Sequence, residues 1–171
     1  MKHLQIFALL AFALTGCENQ LETRAPNQEE ELLEINTIMD QWHEDAASAN
    51  GKAYFNAMAE GSVFIGTDAT ENWEKSDFQE WSNPFFERGS AWSFKALERN
   101  VYFNSKLDIA WFDELLSTQM KICRGSGVLE KVEDVWKIKQ YVLSMTIPND
   151  LVDTIVSLKS PIENILLLEL E

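Results

Sequence analysis

Histidine and cysteine are nearly missing from this chain, with two of each in 171 residues. That leaves almost no room for a zinc site of His or Cys ligands, and any Cys–His or Ser–His pair must draw on His43 once a cleaved leader is set aside. Positive charge is scarce as well: 14 Lys and Arg stand against 28 Asp and Glu, a formal net charge of -14. Phosphate backbones are bound by Lys and Arg that release counterions, so no nucleic-acid partner is expected, and an acidic folded surface is unsuited to anionic lipid. Phosphate-loop and dinucleotide fingerprints are missing, and Gly125-Ser126-Gly127 lacks the five-residue spacing of a nucleophile elbow. No metal and no cofactor are expected. The common hydrolase, kinase and dehydrogenase chemistries are thereby excluded.

What is present is apolar and aromatic. Hydrophobic residues make up 46% of the chain, with 6 Trp and 10 Phe, enough for the core of one domain. Lys2 precedes an apolar run from Leu4 to Leu14, too short to span a bilayer but suited to a signal peptide. Leu14-Thr15-Gly16-Cys17 resembles the bacterial lipobox, in which the cysteine is lipidated and becomes the new N-terminus. The expected organisation is a lipoprotein signal peptide over 1–16, a polar tether over 17–30 containing Pro26, a folded domain over 31–148 and a C-terminal extension over 149–171. Acyl chains on Cys17 would hold the protein to a membrane of the bacterial cell envelope, on a periplasmic or outer-membrane face, at about 0.8 kcal/mol per buried methylene. Cys123 then has no disulfide partner and reads as a small buried hydrophobe.

Periodicity divides the domain into helices followed by strands. Leu32, Ile35, Ile38, Met39, Trp42 and Ala46 recur at steps of three and four, which predicts an amphipathic helix over 30–50, stopped by Asn50-Gly51. A second helix is expected over 52–60, a short buried strand over 63–67, a turn at Asp68-Ala69-Thr70, and a third helix from Ser76 or Asp77 to about Arg88 that Pro84 kinks or ends. After Gly89 the period becomes two. Trp92, Phe94 and Ala96 hold one phase and Val101 and Phe103 the other, which places a β-bulge near Leu97. Strands over 107–116, 120–128 and 136–147 follow; in the last, Trp136, Ile138 and Val142 fall on one face and Tyr141, Leu143 and Met145 on the other. Helices followed by an antiparallel meander predict an α+β fold, three N-terminal helices packed on a curved antiparallel sheet. The extension carries two helix starts, at Asn149-Asp150 and at Ser160-Pro161, and Leu166-Leu167-Leu168 should pack on the sheet or on a partner.

The candidate chemistry is carried by carboxylates and aromatics. Asp68, Glu71 and Trp73 share one loop beside the buried strand; a carboxylate in an apolar cavity can serve as a general base, while turn chemistry explains Asp68 equally well. His43 lies at the edge of the first helix's apolar stripe, a candidate base or a half-exposed surface residue. Asp113 and Glu114 read as a solvated strand end. Arg124 shares a strand face with Met120 and Ile122, so a concave face there would bury its guanidinium and demand an anion, from a salt bridge or from a ligand.

Four stretches in order carry a family resemblance: Phe64-Ile65-Gly66-Thr67-Asp68 with Glu71 and Trp73, Ala110-Trp111-Phe112-Asp113-Glu114, residues 124–131 from Arg124, and Trp136-Lys137-Ile138-Lys139-Gln140-Tyr141. Together they resemble the SnoaL-like group of the nuclear transport factor 2-like superfamily, which is related to the association domain of calmodulin-dependent kinase. The resemblance implies a cone-shaped α+β barrel with a pocket between helices and sheet, and homodimers formed through the sheet. It implies little about activity, since the superfamily holds cyclases, isomerases, dehydratases and members without known chemistry. Three functions fit. The domain binds a small organic ligand or a partner without turnover, an anionic ligand if Arg124 faces inward, with Trp42, Phe64, Trp73 and Tyr141 as pocket walls. Alternatively it is an isomerase, cyclase or dehydratase using Asp68, Glu71 or His43 as base, or a non-catalytic assembly protein.

Overall fold

The computed structural model describes residues 27–171. The expected signal peptide, the expected lipidation site Cys17 and the expected tether as far as Pro26 lie outside the described residues. The tether's expected last residues are the first turn of helix α1 (Gln28–Ala47), whose N-cap Asn27 side chain accepts a hydrogen bond from the Glu29 amide and whose first turn carries Glu29, Glu30 and Glu31. Carboxylates there complement the positive end of the helix dipole, which explains why the helix starts before its apolar stripe does. The stripe buries Ile35, Met39, Trp42 and Ala46.

Helix α2 (Gly51–Asn56) is shorter than the expected 52–60 because Met58 already belongs to strand β1 (Met58–Ile65), paired parallel to strand β6 (Val135–Met145). Sheet pairing and burial of Met58 override helix propensity in this stretch. A short strand β2 (Asn72–Glu74) returns antiparallel to β1 and leads into helix α3 (Lys75–Glu87). Pro84 lies inside α3 and does not end it. Strands β3 (Lys95–Phe103), β4 (Ile109–Thr118) and β5 (Lys121–Val132) complete one sheet in the order β2-β1-β6-β5-β4-β3, antiparallel except for the β1–β6 pair. The sheet does not close: β2 and β3 are its two edges, and the helices cover its concave face. This is the α+β cone expected from the sequence.

Bulges in β3 and β6 set which of their side chains face inward. The β3–β4 register steps from Ala96↔Leu116 to Glu98↔Leu115, so Leu97 is the extra residue, where the phase change placed it. A second step, from Leu129↔Ile138 to Val128↔Gln140, makes Lys139 extra in β6. It corrects the expected split of that strand: Trp136, Ile138, Tyr141 and Leu143 all lie in the core, because one inserted residue returns the second half of the strand to the inner phase. The β5–β6 hairpin turns through Glu133 and Asp134, both at positive φ (51° and 62°), the geometry of a tight type I′ turn.

The C-terminal extension differs from its expected form. After a 3₁₀ turn (Asn149–Leu151) it is one continuous helix, α4 (Val152–Leu170), with Pro161 inside it. No residue of α4 is buried, and Ile162 is 74% exposed, so the tail does not bury its leucines on the sheet of its own chain.

Candidate functional site

A cavity of about 140 Å³ opens at the mouth of the cone, where the β1–β2 loop, α3, the segment before β3 and the β4–β5 turn meet. Six of its lining residues are aromatic: Phe64, Trp73, Phe78, Trp81, Trp92 and Phe94; Met120 and Leu143 add to the apolar lining. The rings are held by one another. Phe64 stacks on Phe78 at 4.0 Å between centroids, and Trp73 stacks on Trp81 at 4.8 Å. Trp81 remains 43% exposed and forms the outer lip.

The loop at this mouth is tied by its own polar groups. The Thr70 amide and hydroxyl donate to Asp68 Oδ1 (2.9 and 2.6 Å), and the Asp68 amide donates to Glu71 Oε2 (3.1 Å). The Glu71 carboxylate lies where a Cβ on residue 66 would stand, so Gly66 is the residue that admits it. Among the described residues, Glu71 is the only charged side chain lining the cavity. A wider groove of about 670 Å³ between α2, β1 and α3 is polar, and its Lys75 is already paired with Glu60.

Deeper in the cone lies a buried polar network that no single segment announces. Strand β4 turns Ala110, Phe112, Glu114 and Leu116 inward, which places Glu114 at 1% exposure under α1. Its Oε1 accepts from the Tyr141 hydroxyl (3.0 Å) and lies 2.9 Å from His43 Nε2; its Oε2 accepts from Arg99 Nε (2.9 Å). Arg99 reaches on to Asp40 Oδ1 at 2.9 Å and to the Asn36 side-chain oxygen at 3.1 Å. Burial by itself would raise the Glu114 carboxyl, but the hydrogen bonds and charges of His43 and Arg99 outweigh it and hold it below the ordinary carboxylate range. Burial, reinforced by the adjacent carboxylate, pushes the Tyr141 hydroxyl well above the usual tyrosine range. Gly125 is required beside them, since a Cβ there would strike the Tyr141 hydroxyl and the Glu114 side chain.

A histidine, a carboxylate and a tyrosine in contact can in principle move protons. None of the three lines the mouth cavity. The imidazole packs against Trp42, Phe94 and Tyr141, with ring centroids 5.4, 5.9 and 6.2 Å away, and His43 also lines a separate groove of about 430 Å³ with Asp40, Glu44 and Lys95; the network joins α1 to the sheet.

The structure distributes the sequence candidates unevenly. Phe64, Glu71 and Trp73 meet at the cavity. Asp68 is exposed and binds its own loop; the Thr70 hydroxyl and amide hold its carboxyl below the usual range. Trp42 and Tyr141 are not mouth walls but core: Trp42 donates to the Tyr54 carbonyl at 3.2 Å and stacks on that ring at 4.6 Å. His43 is 3% exposed rather than half exposed, and Glu114 is buried rather than a solvated strand end. Arg124 corrects the expected inward cation. Its neighbours Cys123 and Gly125 occupy the inner phase of β5, leaving Arg124 and Ile122 on the outer face. No spacing in the sequence marks Trp92, Phe94 and Met120 as cavity residues or Arg99 as a buried cation. The alternation Ala110, Phe112, Glu114, Leu116 was the one available signal for Glu114, because it shares a phase with three apolar residues.

The family model of a SnoaL-like domain matches residues 35–148. Among solved structures, an NTF2-like protein of unknown function from Pseudomonas putida KT2440 superposes with a TM-score of 0.60 at 12% identity, over 72% of this chain and 92% of that one. A protein of Novosphingobium aromaticivorans DSM 12444, provisionally named scytalone dehydratase, gives 0.59 at 13% identity, over 70% and 86%. The association domain of C. elegans CaMKII gives 0.56 at 14% identity, over 68% and 97%. At such identities these similarities show the fold alone. Among curated proteins, none matches the chain.

Proposed function

The chain belongs to the SnoaL-like domain family, and on that footing we propose that it is a lipid-anchored cell-envelope protein whose domain holds a small organic molecule at the mouth of the cone without chemical turnover. The observation that carries this reading is the cavity of about 140 Å³ walled by six aromatic residues. Apolar concave walls with few polar groups are the usual composition of a small-molecule site. The acid–base-capable trio His43, Glu114 and Tyr141 lies outside those walls, which favours binding over catalysis. An isomerase, cyclase or dehydratase would need a base in contact with its substrate, and Glu71 is the one carboxylate lining the cavity. Anchoring through Cys17 rests on the lipobox-like Leu14-Thr15-Gly16-Cys17. In the same reading two copies pair through the outer face of the sheet, where Tyr102 and Trp111 stack at 6.1 Å and stay about half exposed.

Native mass spectrometry of the full-length chain, purified in detergent from its own host, tests the binding claim. A co-purified organic molecule is expected on the wild type and not on Trp81→Ala, which removes an exposed wall without opening the core. A wild type free of bound mass that also shows no change in tryptophan emission on extraction would overturn the reading.

A further inference from the structure

We infer that the ligand of the mouth cavity carries a positive charge, a quaternary or protonated ammonium group held against the Glu71 carboxylate within the aromatic walls. This rests on the reading of that cavity as the ligand site. Among the described residues the walls contain no Lys, Arg or His, and their single charge is the carboxylate of Glu71. None of the ion pairs among the described residues involves Glu71. Its carboxylate is nevertheless fixed in place by the Asp68 amide and by the space that Gly66 leaves for it.

Each class of ligand meets these walls differently. An anion would face Glu71 with no compensating cation, since Arg124 stands on the outer face of the sheet. A neutral apolar ligand would fill the aromatic space but strip water from a carboxylate that accepts only from the Asp68 amide and has no ion-pair partner among the described residues, which is costly. A cation gains from both: Glu71 supplies the counter-charge and the aromatic walls add attraction, although the facing sides of Trp73 and Trp81 are taken by their own stack at 4.8 Å. The cavity of about 140 Å³ suits the head of such a ligand, a trimethylammonium-sized group, with any longer portion leaving past the Trp81 lip. A chain with a net charge of -14 also attracts cations before contact.

Isothermal titration calorimetry on the full-length chain tests this with three probes of nearly one shape: choline, its uncharged isostere tert-butylethanol, and the anion of tert-butylacetic acid. Choline is expected to bind about tenfold more tightly than the alcohol, as a desolvated cation–aromatic contact implies, and the anion not at all. Glu71→Gln, which can still accept from the Asp68 amide, should weaken choline about tenfold and leave the alcohol unchanged. Glu71→Asp keeps the charge but withdraws it and should fall between the two. Trp81→Ala should weaken both probes. Equal affinity of choline and the alcohol, or equal weakening of both by Glu71→Gln, overturns the charge assignment while leaving the cavity a binding site. Failure of all three probes to bind overturns the assignment together with the reading it rests on.

Discussion

Glu114 holds its charge at 1% exposure because three groups share the cost of burying it. His43 and Tyr141 meet one carboxylate oxygen and Arg99 the other, while Asp40 and Asn36 engage the far side of the guanidinium. Removing the centre strands the rest. Glu114→Ala is expected to destabilise the domain by about 3 kcal/mol or more, because Arg99 and His43 would remain buried without their common acceptor; urea denaturation against wild type measures it. A cost under about 1 kcal/mol would mean that water enters the site and the network contributes little. Glu71, by contrast, stands at the surface end of the cone with a free charge. The two carboxylates differ in what their neighbours have already supplied.

At the scale of the element, single inserted residues decide which face a strand presents. Without Leu97 the inner phase of β3 would not change, and without Lys139 either Trp136 and Ile138 or Tyr141 and Leu143 would leave the core. Deleting Lys139 is therefore expected to cost about 5 kcal/mol or more, enough to remove a cooperative melting transition. A melt close to wild type would show that the strand re-forms its bulge elsewhere. The first bulge was legible, since a phase change in a run of alternating residues requires one. The second was not, because β6 is apolar on both faces and neither phase is marked as inner. The same ambiguity misdirected Arg124: alternation joins it correctly to Ile122 but does not say which side of the sheet the pair occupies.

For the whole molecule, two buried carboxylates fasten α1 to the sheet at opposite ends of the helix. Glu31 accepts from Lys131 Nζ and from the Trp136 indole (both 2.6 Å), and Glu114 receives His43 from the same helix. Burial opposes the charge on Glu31 as well, and the Lys131 and Trp136 hydrogen bonds hold its carboxyl below the ordinary value of 4.5. Both carboxyls are thus lowered in the folded state. Their contribution is fully present above the unfolded-state value near 4.5 and is lost as pH falls through the lower folded-state values. Stability should fall steeply on acidification below about pH 4.5, and the double variant Glu31→Gln with Glu114→Gln should flatten that dependence. Thermal melts over an acid pH series check it. A wild-type melt unchanged across that range would show that these carboxylates are not coupled to folding.

The sequence by itself determined the α+β class, the face each of the first helices buries, the bulge at Leu97 and a core rich in aromatics. Those features are local: a period of 3.6 or 2 is written in consecutive residues, and apolar area drives burial wherever that period repeats. Tertiary structure alone decided the rest. It turned Glu114 inward and brought it to His43, 71 residues earlier in the chain. It placed Arg124 outside, and it gathered rings from β1, β2, α3 and the segment before β3 around one carboxylate. Alternation relates a residue to its neighbours in a strand but not to the inside of the molecule. That second relation is set when the curved sheet closes against α1 and each strand's inner phase is chosen by the volume it must fill.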